Sequence, residues 1–284
     1  MNKFFATIFL IFSVFFVLPI SIEAKTASIK PEVKKIKILI VPGHDDEVWG
    51  AQYGNFKEAD MNLRVALELQ KNLKKDKRFE VFITRSNGDY NKTFSDYLSK
   101  KDEINLFKET LKKQTAIKVE EGDFVKKEGV PHVAVNQDTS IKLYGINKWA
   151  NENNIDAVIH IHFNDYPRKN KWTIGKYKGF VVYVPEIQLL NAKESIRLGE
   201  KIFSELKKKY SLSTFPEEKG GLVLDQKLIA LGANGSLDQE TKSVLVEYGY
   251  IYEKKFRNTK TRRQAYVDMA TLTASGIKSY FFTK

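Results

Sequence analysis

The 284-residue sequence contains no cysteine, which excludes a disulfide framework, a thiolate zinc ribbon, a haem attachment, a cysteine nucleophile and a lipidated cysteine. Histidine is scarce as well, with four residues, so any metal site must be assembled from a few imidazoles and carboxylates. Acidic residues are in deficit, 35 against 47 lysines and arginines, for a formal charge of +12. A balance this basic favours an anionic partner such as nucleic acid, a membrane surface or a cell-wall polymer, and does not choose among them. Repeats and low-complexity tracts are missing. What is present, 42% hydrophobic and 12% aromatic residues, suffices for one sizeable core and excludes disordered and collagen-like chains.

One long apolar run stands at the start. After Lys3, residues 4–22 carry no charge until Glu23. Lys3 serves as a minimal positive region, and Ile22-Glu23-Ala24 offers a cleavage site, so residues 1–24 read as a signal peptide. The run is also long enough to span a bilayer if it stays uncleaved, since a spanning helix needs roughly 17–25 residues. Either outcome delivers the chain outside the cytoplasm, to a periplasm, a cell wall or the medium, and argues against nucleic acid as the anionic partner. Residues 25–35, with Pro31 and several lysines, read as a tether.

From Ile36 onward, short apolar β-rich runs alternate with helical patterns, as in an α/β fold with a mostly parallel sheet covered by helices on both faces. Runs at 36–41, 79–85, 155–161, 179–184 and 244–248 are nearly continuously apolar, as strands buried on both faces should be. Helical spacing marks 57–75 (Ala59, Leu63, Ala66), 190–210 (Ile196, Phe203, Leu206) and 262–280 (Ala265, Met269, Leu272, Ile277). The catalytic domain is expected over 36–284 with an insertion at about 90–140. Within it, 95–113 shows helical spacing, whereas 115–135 is β-prone and broken by Gly122, Gly129 and Pro131. Insertions of this length are either surface elaborations or lids over a site.

Three of the four histidines fall at or just beyond strand ends: His44 after the first run, and His160 and His162 in the third. Ligands of open α/β sheets bind outside the carboxyl ends of the strands, where His44 and His162 are both placed. Glu58 opens the first helix on that same edge, and two nitrogens with one carboxylate make a three-ligand zinc site with a position left for water. Glu247, in the strand 244–248, is an expensive buried charge without a partner and the best candidate for a general acid or base. Each residue also has an ordinary explanation. His44 suits a turn, Glu58 favours the positive end of a helix dipole, and a strand histidine such as His160 can simply pack.

The pattern of segments resembles the zinc-dependent N-acetylmuramoyl-L-alanine amidases of the Amidase_3 type, which cleave bacterial peptidoglycan. Ile38-Leu39-Ile40-Val41-Pro42-Gly43-His44 looks like the family's first strand and Pro-Gly-His turn, and Glu58-Ala59-Asp60-Met61-Asn62-Leu63 like its Glu-x-x-x-Asn-Leu helix start. The run from Phe79 through Thr84-Arg85 is similar to its second strand. Ala157-Val158-Ile159-His160-Ile161-His162-Phe163-Asn164 resembles the strand ending in Ser-Ile-His-x-Asn, and Val244-Leu245-Val246-Glu247-Tyr248-Gly249-Tyr250 the Val-Leu-Val-Glu-x-Gly-Phe strand. The resemblance implies that His44, Glu58 and His162 bind zinc and that Glu247 is the catalytic carboxylate. It makes Asn62, Arg85, His160 and Asn164 candidates for supporting the ligands or touching substrate. It further implies hydrolysis of the amide joining N-acetylmuramic acid to L-alanine. Some relatives block the zinc with an inserted helix until a partner removes it, so a protein activator acting on the insertion is a further expectation. Anionic wall polymers are a second binding partner suggested by the charge.

Two departures matter. The glycines that usually follow Pro-Gly-His are replaced by Asp45-Asp46-Glu47, and His160 stands where the family has serine. The segment Gly43-His44-Asp45-Asp46-Glu47 also looks like the His-Pro-Asp-Asp-Glu signature of zinc-dependent sugar de-N-acetylases, in which case Asp46, and not Glu58, would bind metal. That reading lacks the proline and a later His-x-x-His pair. A non-catalytic wall-binding protein that keeps the fold is the third alternative, motivated by the altered loop and the basic charge.

Overall fold

The computed structural model describes residues 34–127 and 135–283. The apolar run at 4–22, most of the tether, Gly129 and Pro131 lie outside the described residues. The elements in chain order are β1 (Ile36–Pro42), the two-stranded hairpin β2 (Gln52–Tyr53) and β3 (Phe56–Lys57), α1 (Glu58–Lys74), β4 (Phe79–Ile83), α2 (Lys92–Leu98), α3 (Lys101–Glu120) and α4 (Gln137–Glu152). There follow β5 (Ala157–Asn164), β6 (Val181–Pro185), α5 (Ala192–Lys207), β7 (Leu222–Asp225), β8 (Lys242–Tyr250), α6 (Lys254–Arg257) and α7 (Thr259–Phe282). Among the described residues no helix is long and apolar enough to cross a membrane.

Six strands form one sheet in the order β4-β1-β5-β8-β6-β7. β4, β1, β5 and β8 run parallel, while β6 is antiparallel to β8 and carries β7 parallel to itself. The expected mixed α/β sheet is therefore present. β7, which sequence patterning did not mark, closes the edge with a four-residue strand that is mostly half-buried and too short to show a period.

Strand periodicity divides the core in two. Ile38, Ile40, Ile159, Ile161, Val244 and Val246 face one side, against Val65 of α1, Ile202 of α5 and Met269 of α7. Leu39, Val41 and Val158 face the other, against Phe94 of α2 and Ile146, Trp149 and Ala150 of α4. The Trp149 ring lies 4.6 Å from Phe94 and 5.4 Å from Phe82.

The insertion differs from its sequence pattern in three ways. The helix expected over 95–113 is two helices: Asn91 caps α2, accepting the Phe94 N–H at 3.3 Å, and the chain turns at Ser99 and Lys100 before α3. The β-prone stretch after Thr115 continues α3 to Glu120, its β-branched residues carried by a helix already nucleated upstream, until Gly122 turns with a φ of 80°. α4, capped by Asn136, is core rather than elaboration, with Tyr144, Ile146, Trp149 and Ala150 buried.

α3 lies along α4 through Ile104, Ile141 and Tyr144, and the chain then follows the far edge of the sheet. There the Val125 N–H donates to Gln188 and the Lys127 N–H to Gln226, while Lys127 approaches Glu186 at 3.8 Å. Because β6 and β7 run opposite to β8, these partners sit at the edge away from the carboxyl ends of β1, β5 and β8. Residues 125–127 of the insertion are thus packed at that edge of the sheet.

Two outcomes are expected. Trp149→Ala should cost about 3–5 kcal/mol in urea unfolding, the usual loss for a buried large aromatic, whereas a dispensable surface helix would lose under 1. Glu186 is buried, which raises its carboxyl pKa, but hydrogen bonds from Gln188 and Gln226 prevail and hold it below the ordinary 4.5. A depressed pKa stabilises the fold above the unfolded value and is lost as pH falls through the folded one. The stability gap between wild type and Glu186→Gln should therefore shrink below about pH 4.5; a gap constant from pH 7 to 3 would contradict the assignment.

Candidate metal centre

The carboxyl end of β1 turns sharply at Gly43, whose N–H donates to the Ile161 carbonyl at 2.9 Å. No side chain fits at this position, since a Cβ on Gly43 would lie 2.1 Å from Cε1 of His162. The next residue, His44, adopts a left-handed φ of 61°, uncommon for a residue with a side chain. The turn aims His44 back toward α1, where its Nε2 lies 3.2 Å from Oε2 of Glu58. His162, near the end of β5, brings Nδ1 within 3.1 Å of Oε1 of the same carboxylate. The two imidazoles stand 5.3 Å apart at 75°.

Glu58 is held from several sides. Its Oε2 accepts the Ala51 N–H at 2.8 Å and its Oε1 the Phe163 N–H at 3.2 Å, and it occupies the first turn of α1, where the dipole favours an anion. Burial works to raise its pKa, but the hydrogen bonds of His162 and His44 dominate and hold the carboxyl well below the usual range. Donor atoms of His44, Glu58 and His162 all lie within 4.8 Å of one another. Two imidazole nitrogens and a carboxylate at this spacing match a three-ligand zinc set, so the residues present fit the metal.

Arg85 and Asn62 act behind this cluster. Arg85 is 1% exposed, and its Nη2 donates to the carbonyls of Gly43 at 3.1 Å and Ala59 at 2.6 Å. Asn62 donates to the same Gly43 carbonyl at 2.9 Å. Both therefore hold the Pro-Gly-His turn and the start of α1; Asn62 Nδ2 also reaches Glu58 Oε1 at 3.4 Å, and its Oδ1 is buried without a partner. Asp45 does the same from the other side, with Oδ1 accepting the Glu47 and Val48 N–H groups and Oδ2 the Lys142 ammonium at 2.6 Å. Asp46 points toward Gly88, where an added Cβ would lie 1.8 Å from its Oδ2. Among the described residues the ligating group contains Glu58 and leaves out Asp46, against the de-N-acetylase reading.

His160 is 1% exposed with Nε2 unpartnered, and burial followed by the neighbouring His162 pushes its pKa down to about 3. It is a neutral packed ring bonded to the Ala230 backbone. Glu247 is paired with His162 in the β5–β8 register, so both side chains leave the same face on adjacent strands. Its Oε2 is buried without a hydrogen-bond partner. Burial, then the charges of Glu58 and Glu218, hold this carboxyl well above the usual range.

Glu218 was not marked by any sequence signal. It follows Pro216 in a single 3-10 turn, is 3% exposed, and accepts hydrogen bonds from Asn164 at 2.6 Å, Tyr183 at 2.8 Å, Tyr250 at 3.1 Å and Ser213. Asn164 is thereby committed to ordering the sheet end through Glu218.

A parallel α/β sheet with a His-Glu-His cluster at its carboxyl edge, and a partnerless carboxylate on the adjacent strand, is the arrangement of a metal-dependent hydrolase. Residues 38–279 match the Amidase_3 family, N-acetylmuramoyl-L-alanine amidase, and the chain belongs to that family. It is an enzyme acting on peptidoglycan, and members of the family are generally zinc-dependent.

Solved structures agree on the fold. An N-acetylmuramoyl-L-alanine amidase from Clostridium difficile 630 is similar with a TM-score of 0.56 at 18% identity, covering 88% of this chain and 99% of that one. The CwlD amidase from Clostridioides difficile, solved in complex with the GerS lipoprotein, gives 0.58 at 18% identity, covering 88% and 100%. The apo form of Ami1 from Mycobacterium abscessus gives 0.57 at 16% identity, covering 87% and 99%. No curated protein matches the chain.

Gly43→Ala should displace His162 and weaken zinc binding by about 10–100-fold, the loss usual when a ligand's support is disturbed. Titration with a competing chelator measures it; unchanged affinity would mean that His162 is not a ligand.

Proposed function

We propose that His44, Glu58 and His162 hold a zinc ion with which this amidase hydrolyses the bond between the lactyl group of N-acetylmuramic acid and L-alanine, with Glu247 moving the proton. The observation that carries this reading is the pairing of His162 with Glu247 across β5 and β8, which sets a partnerless carboxylate beside the ligand cluster. When bound, zinc supplies Lewis acidity for the scissile carbonyl and for activating water.

Glu247 then acts on both sides of the reaction. Its carboxylate takes a proton as the water oxygen bonds to the lactyl carbonyl carbon. The carboxyl returns that proton to the alanine nitrogen as the C–N bond breaks, leaving a free lactyl carboxylate and a free amine. Burial and the nearby Glu58 and Glu218 raise the Glu247 pKa, and a bound cation would oppose that shift and keep the group as a carboxylate able to take the proton. Arg85, Asn62 and Asp45 keep the turn that carries His44 rigid, which preserves the ligand geometry between turnovers.

The same reading places the chain outside the cytoplasm, where its substrate lies, with the apolar run after Lys3 and the +12 charge as support. It also gives the insertion a protein activator. One structural neighbour is itself solved with a lipoprotein, and α3 leaves Leu106 and Ile117 exposed at 70% and 51%.

Mass spectrometry of digested peptidoglycan tests the reaction. Wild-type protein should release stem peptides beginning with L-alanine; Glu247→Gln should release them about 10²–10⁴-fold more slowly with zinc retained, and His162→Ala should lose both zinc and turnover. Near-normal turnover by Glu247→Gln would remove Glu247 from the mechanism, and release of acetate alone would replace the amidase reading.

A further inference from the structure

The chain has three tryptophans, and each is used differently. Trp149 is core. Trp49, in the loop after His44, spends its indole N–H on the Asp46 carbonyl and has the Lys57 ammonium 3.4 Å above its ring. Trp172 is 60% exposed, yet it is held in place. Its ring lies over Gly54, where an added Cβ would come within 2.5 Å, and it stands 6.5 Å from Tyr53, nearly edge-on. The Asn170 side chain accepts the backbone N–H of Trp172, and the Lys171 carbonyl accepts the N–H of Gly54. The outer face of the ring stays open to solvent.

Beside Trp172 is a cleft of about 370 Å³ lined by Gln52, Asp165, Tyr166, Arg168, Asn170 and Lys171. Its volume falls in the ligand-pocket range of roughly 300–1,000 Å³. Arg168 is the strut between its walls. The guanidinium bonds both oxygens of Asp165 and the carbonyls of Gln52, Asn170 and Thr173, and lies between the rings of Tyr53 and Tyr252. The Asp165 charge is thereby neutralised; Asn170 Oδ1 is held by the Trp172 backbone N–H and the Thr173 hydroxyl, which leaves the Gln52 amide and the Asn170 NH2 group to face the cleft.

The cleft adjoins the metal centre. Gln52 follows Ala51 and Asp165 lies two residues after Phe163, and both Ala51 and Phe163 donate their N–H groups to Glu58. Resting on the amidase reading above, we propose that this cleft is a glycan subsite, at whose margin Trp172 stacks on the pyranose face of an N-acetylhexosamine flanking the muramic acid whose amide is cut. The acyl half of the scissile bond is itself a sugar substituent, so the strand must continue within one sugar ring of the reacting carbon. Amide groups suit hydroxyl and acetamido substituents, and an aromatic face suits the axial C–H groups of the ring. The stem peptide, which carries carboxylates, finds the acidic–basic pair of this cleft already closed on itself.

Titration of the zinc-loaded full-length chain with a peptide-free tetramer of N-acetylglucosamine tests the subsite without requiring turnover. The tetramer should bind wild type, bind Trp172→Ala at least tenfold more weakly, and retain most affinity in Trp172→Phe, which keeps an aromatic face. Trp172→Lys, which keeps bulk but has no ring, should behave like the alanine variant, and thermal melting of each variant reports folding. Absence of tetramer binding, or equal binding by all four proteins, overturns the proposal. So does Trp172-dependent binding of a sugar-free stem peptide without binding of the tetramer, which would make the cleft a peptide site. Stem-peptide release by the same preparations is read separately: hydrolysis without tetramer binding removes the subsite alone, and tetramer binding without hydrolysis removes the amidase reading.

Discussion

The buried carboxylate of Glu58 is the interaction on which the site depends. It stands at the first turn of α1, takes backbone N–H groups from Ala51 and Phe163, and faces an imidazole on each oxygen. Those donors come from the loop after β1 and from β5, so one charge at the start of a helix ties together segments whose positions differ by as much as 105 residues. A buried carboxylate without such partners would be protonated. With them it stays ionised, and the same contacts that order the local fold gather the candidate ligand atoms.

Around this charge the fold solves a problem of close approach. The His162 ring packs so tightly under the Pro-Gly-His turn that position 43 admits no side chain, and the turn then relies on Arg85 and Asn62 for its shape. Arg85 sits just past β4, two strands from β5, yet it bonds the carbonyls of the turn and of α1. The carboxylates at 45 and 47 are drawn to Lys142 of α4. This explains how a loop so acidic is accommodated beside a metal centre: its charge is directed away from the ligands.

On the far side of β8, a second buried carboxylate orders the remaining strand ends. Glu218 gathers Asn164, Tyr183, Tyr250 and Ser213 from four segments and contributes negative potential to Glu247. Two carboxylates with different surroundings divide the work. Glu218 is surrounded by donors; Glu247, with Oε2 unpartnered, is the carboxylate to which we assign the proton transfer. The division follows the physics of burial, since a desolvated group without donors has a raised pKa and a donor-rich one has its charge stabilised.

The strands and the gathering of the candidate site residues at one sheet edge were legible from sequence because their signals are local. Continuous apolar runs report burial on both faces, and His44, Glu58, His162 and Glu247 each lie where a strand ends or a helix begins, which topology places at one edge. The helical nature of 115–120, the core role of α4 and the strand at 222–225 were not legible, because packing against distant partners outweighed weak local patterns. The roles of Arg85, Asn62, Asp45 and Glu218 were likewise hidden. A side chain's type announces what it can bond to, but whether a guanidinium meets a substrate or a backbone carbonyl depends on what the folded chain brings within 3 Å of it. The sequence by itself determined the chemistry on offer and the sheet edge where it gathers; tertiary structure decided which of those groups are spent holding the site and which remain free to react.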